Sequence, residues 1–600
     1  MKNLDYGIIG NCRSAALISK YGSLDWCCLP EFDSSSVFAK ILDEKIGGSF
    51  EILVDDDYAV NQYYIPGTSI LVTSFHRGND AFEIRDFMPR YKKDSGGYHS
   101  PPEVVRYVKL VSGTPVFKVK YNPKLEYAIG TTRSYAKDNF IASLTHEERF
   151  DTLFLYTNFK KDKIIDGEEI KLIKNGYFLI TYHEKILEPT VKSIYLELER
   201  TKVYWLNWVE RIPVYEQYSD WIERSAITLK LLSYQKSGAV LAAATTSLPE
   251  TIGEVRNWDY RFCWIRDASM VIKVSSELGH KNMVKRFLRF ITDLMPDKDE
   301  KLQIMYGINR EKELTERTLD HLNGYEGSKP VRIGNAAYEQ RQNDIYGILM
   351  DVIHQQLVHF RTDIEHDEEL WSITKGIVWV VNKHWTEPDK GIWEFRTEER
   401  HFTFSKVLCW VAIERALRVA QLLKKDSKIK KWEILEQQIK EDILANAWNE
   451  EKQAFTQSYG SADLDASVLL MESYGFIEAK NPKYISTVKA IGEELSNDGL
   501  LYRYKNKDDF GLPSSSFTIC TFWYINSLFK IGEHEPAQRL FNQLLSYSNH
   551  LGLFSEDIDF KTKRLLGNFP QAYSHLALIE TAMNFSSVSK EDDILEKLQK

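Results

Sequence analysis

An Arg-Asp pair lies among aromatic residues in the stretch NWDYRFCWIRDASM, residues 257–270. Arg266 and Asp267 resist full burial unless each finds a partner, so the stretch is poor core material. A guanidinium and a carboxylate can instead form charge-assisted hydrogen bonds with the polar groups of a ligand. The stretch therefore indicates a surface that binds something polar.

The composition limits what that ligand can be. The chain has 600 residues, of which 43% are hydrophobic and 27% charged, as in globular proteins with more than one domain. Its net charge is −9 and it has no sustained run of Lys and Arg, which argues against a nucleic-acid partner. A neutral ligand is compatible with these properties.

The sequence gives no sign of a membrane segment or a cofactor site. No segment approaches the roughly 18 apolar residues that span a membrane, and Asp5, Arg13 and Lys20 interrupt the region where a signal peptide would be apolar. We therefore expect a cytoplasmic protein without a membrane partner. The six cysteines lie in apolar contexts without metal-ligand spacing and are expected to be reduced core thiols. We expect no metal and no cofactor, and the sequence leaves the oligomeric state open.

The first third of the chain has the pattern of antiparallel strands. Short runs of β-branched and aromatic residues alternate with polar residues and are separated by Gly, Asn and Asp turns. Strands are predicted at 69–78, 81–90, 104–113, 117–123, 154–159, 177–184 and 195–200. This pattern predicts an N-terminal β-sandwich domain over residues 1–203, followed by a linker at 204–215.

The remainder, residues 216–600, has helical periodicity and is predicted to form a second domain. Twelve helices are predicted near 216–235, 265–279, 281–295, 335–360, 366–384, 402–424, 428–447, 464–474, 481–495, 514–531, 535–548 and 570–587.

Five loops rich in Trp, Gly, Arg and carboxylates precede the second, fourth, sixth, tenth and twelfth of these helices. Their sequences are RNWDYRFCW, YEGSKPVRIGN, KGIWEFRTEERH, LYRYKNKDDFGLP and GLFSEDIDFKTKRLLGNFP. If six helical hairpins close into a ring, every second loop lies on the same rim. The loops then converge on one mouth, so the sequence predicts an (α/α)6 toroid, or six-hairpin barrel, with one functional face.

Several long motifs, in the same order along the chain, carry a resemblance to a known family. They are TTSLPETIGEVRNWDYRFCWIRDASM (245–270), YEGSKPVRIGNAAYEQRQNDIYG (325–347), GIWEFRTEERHFTFSKVLCWVAIERAL (391–417) and GLFSEDIDFKTKRLLGNFPQAYSHLALI (552–579). Together they resemble the glucoamylase family, glycoside hydrolase family 15. The segment at 7–43 resembles the bacterial and archaeal branch, which includes glucoamylase-type enzymes and trehalases.

The resemblance implies inverting hydrolysis of α-glucosides, which needs two carboxyl groups about 6.5–9.5 Å apart on opposite sides of the sugar. Glu394 matches the general acid of the family, and its neighbours Trp393 and Phe395 would favour a protonated carboxyl group by desolvation. The rival carboxylates Glu398 and Glu399 lie in a more polar run and are expected to be exposed. Glu556 matches the general base, for which a polar environment is expected. Asp557 and Asp559 compete with Glu556 on spacing alone.

The resemblance also implies a subsite for the terminal glucose, held by Arg266 and Asp267. Trp258 and Trp264 are candidate walls against the sugar ring, although core packing is an equally good interpretation of each. Trp393 is expected to contact the substrate as well. Further candidates are Arg332 and Arg503, each of which could equally form a structural salt bridge, and Tyr325 with Lys329 on the reducing side.

The sequence thus predicts an exo-acting inverting α-glucosidase that releases β-glucose from α-glucans and maltooligosaccharides or from trehalose. The loops at 296–334 and 386–401 are expected to decide between these substrates. An α-glucoside phosphorylase that uses phosphate is the nearest alternative mechanism. A carbohydrate-binding protein without turnover is the alternative from another class, and the presence of both carboxylates argues against it.

Overall fold

The computed structural model describes residues 3–145, 151–294, 302–359, 364–396 and 398–588. Its N-terminal part consists of antiparallel strands, as the alternating sequence predicts. The strands are β1 Tyr6–Gly10, β2 Ala15–Ser19, β3 Leu24–Cys28, β4 Ser36–Phe38, β5 Ser49–Leu53, β6 Ala59–Tyr64, β7 Leu71–Arg77, β8 Asp80–Phe87, β9 Tyr91–Lys92, β10 Tyr98–His99, β11 Glu103–Ser112, β12 Val116–Asn122, β13 Thr132–Ala136, β14 Ile141–Thr145, β15 Thr152–Thr157, β16 Ile170–Lys171 and β17 Gly176–Tyr182.

Most of these strands form two sheets that face each other. One sheet has the order β1-β2-β3-β5-β12-β16 with β4 beside β3, and the other has the order β13-β14-β15-β17-β11-β8-β7-β6. Apolar residues at alternate positions, such as Ile18, Phe50, Phe82 and Val108, form the shared core. The predicted β-sandwich is confirmed.

One predicted strand is wrong. Residues 195–200 belong to a helix, α2 (Val191–Val209), which follows the short helix α1 (Lys161–Ile165). Helix α2 packs on the outer face of the larger sheet. Its buried residues recur at helical spacing; they are Ile194, Leu198, Thr201, Trp205 and Trp208. The proposed linker at 204–215 therefore begins inside this helix, and the division into two domains stays a prediction.

The rest of the chain is an (α/α)6 ring, as predicted. Its helices are α3 Ser219–Leu231, α4 Ile265–Glu277, α5 Lys281–Leu294, α6 Asp344–His359, α7 Ile364–His384, α8 Thr403–Leu422, α9 Ile429–Asn446, α10 Pro482–Leu495, α11 Thr518–Ile531, α12 His534–Leu545 and α13 Ala572–Phe585, with a 3-10 helix at Ala466–Met471. The helices α4, α6, α8, the 3-10 helix, α11 and α13 pack in that order, and α13 closes the inner ring against α4.

Short strands stiffen the loops of the ring. They are β18 Cys263–Trp264, β19 Met305–Tyr306, β20 Arg317–Thr318, β21 Arg332–Ile333, β22 Trp448–Asn449, β23 Ala454–Phe455, β24 Ser496–Asn497, β25 Leu500–Leu501, β26 Ser516–Phe517, β27 Asp557–Ile558 and β28 Leu565–Leu566. The sandwich supports this face from outside, because Trp26 on β3 is buried and donates a hydrogen bond of 2.9 Å to the carbonyl of Ala244.

All six cysteines are buried and unpaired, as predicted. Among the described residues, no helix is both long and apolar enough to cross a membrane.

Candidate active site

The five polar-aromatic loops do converge on one cavity. Each loop, or the first turn of the helix after it, contributes side chains to the cavity wall; among them are Trp258, Trp264, Asp267, Asn335, Glu394, Arg503, Phe510 and Tyr573. The cavity opens where the inner helices α4, α6, α8, α11 and α13 begin. The ring therefore brings together residues that are up to about three hundred positions apart in the sequence.

Glu394 lies in the cavity wall with its carboxylate held by the first loop. Trp264 Nε1 donates a hydrogen bond of 2.7 Å to Glu394 Oε1, and Arg266 Nη2 lies 3.7 Å from the same oxygen. The side chain remains 23% exposed. Its backbone has φ of 61°, in the left-handed region that non-glycine residues rarely adopt. Such a conformation persists where the surrounding structure imposes it, which is common at functional sites.

Arg266 is the hub of a buried polar network at the start of α4. It donates hydrogen bonds to Asp267 Oδ1 (3.1 Å), Tyr573 Oη (2.6 Å) and Gln342 Oε1 (2.8 Å), and it pairs with Asp344 Oδ2 (3.4 Å). Burial raises the pKa of Asp267 to about 6, although the charge of Arg266 opposes the shift. The predicted Arg-Asp pair thus lines the cavity together, beside Glu394.

Glu556 has surroundings different from those expected of it. It is 1% exposed rather than in a polar, solvated position, and it is not part of the cavity wall. Tyr260 donates a hydrogen bond of 2.6 Å to Glu556 Oε1, and the Asn568 backbone donates one of 3.2 Å to Oε2. Burial, together with the charge of Glu250, raises the pKa of Glu556 to about 8, although these two hydrogen bonds favour the charged form.

The chain folds back tightly around Glu556. A Cβ atom added to Gly567 would lie 2.6 Å from Glu556 Cβ, and Gly567 has φ of 74°. Only glycine satisfies both the contact and the backbone conformation. This close approach brings the Asn568 backbone to the carboxylate and excludes solvent, which explains why the polar neighbours in the sequence do not give a polar environment.

Glu250 is a cavity residue that the sequence reasoning missed. Its carboxylate is 4% exposed and accepts a hydrogen bond of 2.8 Å from Arg503 Nη2. The sequence left open whether Arg503 lines the site or forms a structural salt bridge. In the structure it does both, because it lines the cavity and pairs with Glu250. Glu250 ends the TTSLPE segment of the first motif. A glutamate at this place in the sequence gives no sign that its side chain faces the cavity.

The remaining candidates divide into two groups. Trp258 and Trp393 line the cavity, and Trp393 Nε1 donates a hydrogen bond of 2.8 Å to Asp465. Arg332 does not line it, because its guanidinium donates to the carbonyls of Val255 and Asn257. Tyr325 also lies outside the cavity wall.

The rival carboxylates are accounted for by other contacts. Glu398 and Glu399 are exposed, as predicted, and pair with Arg400 and Arg341. Asp557 is buried in β27 and accepts a hydrogen bond of 2.7 Å from Ser515. Asp559 Oδ1 accepts hydrogen bonds from the turn residue Thr562. Within the described ranges, no group of three or more His, Cys, Asp or Glu is arranged to hold a metal ion.

Two family matches and one solved structure agree with this architecture. Residues 216–583 match the Glycosyl hydrolases family 15, and residues 5–148 match the family named Trehalase-like, N-terminal. A bacterial glucoamylase, solved in complex with acarbose, has the same fold, with a TM-score of 0.70 at 11% identity over 97% of this chain and 94% of that chain. The ring, its cavity and these matches define a glycoside hydrolase.

Relatives of similar length narrow the class to one family. A trehalase from Mycolicibacterium smegmatis is 35% identical over 98% of this chain and 92% of its own length. A trehalase from Thermoplasma volcanium is 36% identical over 96% of this chain and 92% of its own length. The chain belongs to glycosyl hydrolase family 15.

Proposed function

We propose that this enzyme is a trehalase, which hydrolyses α,α-trehalose with inversion at one of its two anomeric carbons. The proposal rests on one observation above all: Glu394 lies beside the Arg266–Asp267 pair in a single cavity of a chain that is similar to trehalases over nearly its full length. The trehalase-like match of the N-terminal domain supports the same substrate.

In the proposed reaction, Arg266 and Asp267 bind the hydroxyl groups of the glucose unit that is attacked. Both groups are buried, so their hydrogen bonds to a sugar form without competing water. The network of Tyr573, Gln342 and Asp344 fixes the guanidinium before substrate arrives. A fixed binding group lowers the entropic cost of orienting the scissile bond.

Glu394 acts in this proposal as the general acid that protonates the glycosidic oxygen. The hydrogen bond from Trp264 leaves one carboxyl oxygen free to carry the proton, and the partial exposure of the side chain lets it reach the leaving group. When the proton moves to the glycosidic oxygen, Arg266 and Trp264 stabilise the carboxylate that remains.

Glu556 is proposed as the general base that removes a proton from the attacking water, which has to reach it beside Tyr260, the cavity-wall residue that donates a hydrogen bond to Glu556. Its hydrogen bonds from Tyr260 and Asn568 stabilise the charged form that this role needs. Burial and Glu250 act in the opposite direction and raise its pKa to about 8. The base is therefore strong once ionised, and the fraction that is ionised sets the rate at low pH.

The leaving glucose is proposed to lie towards the loops at 296–334 and 386–401, of which 296–301 and Thr397 lie outside the described residues. The two loops meet where Arg396 Nη2 lies 3.2 Å from Glu316 Oε2. Arg396 lines the cavity and lies 4.6 Å from the centre of the Trp258 ring. This contact places a cation and an aromatic wall at the outer part of the cavity, which suits a second sugar ring.

The experiment compares initial rates of glucose release from trehalose and from maltotriose in phosphate-free buffer. We expect a much higher kcat/KM for trehalose. A preference for maltotriose would support a glucoamylase-type enzyme instead. Release that requires phosphate would support the phosphorylase alternative and would contradict hydrolysis.

A further inference from the structure

A second cleft, which shares no lining residue with the active-site cavity, is strongly basic. Its volume is about 1100 Å³, and it lies where the β9–β10 hairpin and α2 meet α3 and α5. Ten of its lining residues are Lys or Arg and two are Asp or Glu, whereas the whole chain has a net charge of −9. Like charges gathered in one cleft repel each other, so this arrangement favours a bound anion.

Two buried side chains in the cleft wall lack partners among the described residues: His280 lacks hydrogen-bond partners and Lys230 lacks a carboxylate. His280 is 3% exposed, and neither ring nitrogen has a hydrogen-bond partner in the part of the chain that the structure describes. Its ring stacks on Trp208, with the centroids 3.9 Å apart, which fixes its orientation. Lys230 is 6% exposed, and no carboxylate of the described residues lies within ion-pair distance of its ammonium group. Unpartnered buried polar groups are costly, and a ligand that contacts them offsets this cost.

Several exposed cations of the cleft are also without carboxylate partners, although Arg200, Lys236 and Arg310 pair with Glu197, Glu31 and Asp293. Arg211, Lys285, Arg286 and Arg289 form no ion pair with any residue that the structure describes, and Arg286 donates a hydrogen bond to the carbonyl of Gln235. These four cations are therefore available to a ligand.

The first turn of α5 adds to this field. Helix α5 begins directly after His280 and has 14 residues, and Asn282 and Met283 in its first turn line the cleft. The amino end of a helix of this length carries a partial positive charge and favours anions, in particular phosphate.

We propose that this basic cleft is a binding site for a ligand with two or more phosphoryl groups. Arginine guanidinium groups match the geometry of phosphate oxygens, and several separate cations are better neutralised by several phosphoryl groups than by one. Burial, together with the charges of the nearby Arg90 and Arg286, lowers the pKa of Lys230 to about 8, so an anion beside Lys230 would stabilise its charged form.

The test is isothermal titration calorimetry of the full chain with sodium tripolyphosphate, and with citrate as a carboxylate anion of similar charge. We expect tripolyphosphate to bind more tightly than citrate and its affinity to fall as ionic strength rises. Arg286→Gln should weaken binding about tenfold, because it removes one charge-assisted contact. Lys230→Met should weaken it as well.

Matched variants separate this cleft from other basic surfaces. Arg539 is an exposed arginine on α12 without an ion pair among the described residues, so Arg539→Gln should bind tripolyphosphate like the unchanged chain. Arg396→Gln and Glu394→Gln, in the active-site cavity, should also bind it normally. Thermal melts without ligand verify that each variant is folded. Absence of binding to the unchanged chain, equal binding of citrate, or a loss caused by Arg396→Gln instead of Arg286→Gln would overturn the proposal.

Discussion

Trp264 Nε1 donates a hydrogen bond of 2.7 Å to Glu394 Oε1, and this bond joins the loop before α4 to the loop before α8. Trp264 also pairs through β18 with β19 and lies edge-to-face against Tyr260, which holds Glu556. One aromatic residue thus connects the candidate acid to the residue that orients the candidate base. The relative position of the two carboxyl groups therefore depends on Trp264.

We predict that Trp264→Phe lowers kcat by about tenfold, since it removes one hydrogen bond to a charged group while keeping an aromatic ring. KM should change less, because phenylalanine keeps an aromatic wall in the cavity while the hydrogen bond to Glu394 is lost. Steady-state kinetics on trehalose measures both. Trp205→Phe is the control, because Trp205 is buried and its Nε1 has no hydrogen bond in the described structure. Equal losses in both variants would attribute the effect to packing.

Glu394→Gln should reduce kcat by about 10²–10⁴-fold, the contribution usual for a general acid. The fold should be kept, since glutamine can still accept the hydrogen bond from Trp264. Glu398→Gln is the matched control, because Glu398 is an exposed carboxylate four positions away. Kinetics with a melting curve distinguishes loss of catalysis from loss of structure. A Glu394→Gln variant with nearly unchanged kcat would show that another residue is the acid.

Glu556→Gln should have an effect on stability that depends on pH. Burial raises the pKa of folded Glu556 to about 8, against about 4.3 in an unfolded chain. Between these values the folded state holds a proton that the unfolded state releases, so this residue makes the unchanged chain less stable as pH rises. Glutamine cannot ionise, so the Glu556→Gln variant does not lose this stability as pH rises. The difference in Tm, variant minus unchanged chain, should therefore increase from pH 5 to pH 8.5. Calorimetry at several pH values measures this difference, and a constant difference would contradict the assigned burial.

Glu250→Gln should shift the pH profile of catalysis. The charge of Glu250 helps to raise the pKa of Glu556, so its removal should move the low-pH limb of kcat/KM to lower pH. The loss also frees Arg503, whose charge favours ionised Glu556. The profile of Glu254→Gln, a carboxylate of the same loop outside the cavity wall, should not move. An unshifted limb in Glu250→Gln would mean that Glu556 does not control it.

Much of the fold was predictable because it follows from periodicity. The helices of the ring repeat their apolar residues at helical spacing, and the loops before α4, α6, α8, α11 and α13 differ in composition from the others. Helix α2 was missed because residues 195–200 also alternate, and only the longer spacing from Ile194 to Trp208 reveals the helix. A local pattern cannot distinguish a strand from a helix when the segment is as short as six residues.

The site was predictable in its residue types and less so in its environments. The position of Arg266, Asp267 and Glu394 in one cavity could be predicted because the motifs place them in or beside loops on one rim of the ring, whereas their roles stay proposals. The burial of Glu556 depends on the close approach of Gly567, a contact between two chain segments that no spacing reveals. In the same way, the sequence allows a substrate contact or a structural salt bridge for both Arg332 and Arg503, and only the paths of their loops place one outside the cavity wall and the other in it.

The most direct test of the central claim is proton NMR of the anomeric signals during the first turnovers of trehalose in phosphate-free buffer. Inversion by Glu394 and Glu556 converts the attacked unit to β-glucose, while the leaving unit keeps its α configuration. We predict that α- and β-glucose appear in equal amounts before they mutarotate. Exclusive early α-glucose would indicate retention of configuration and would contradict the paired roles of Glu394 and Glu556.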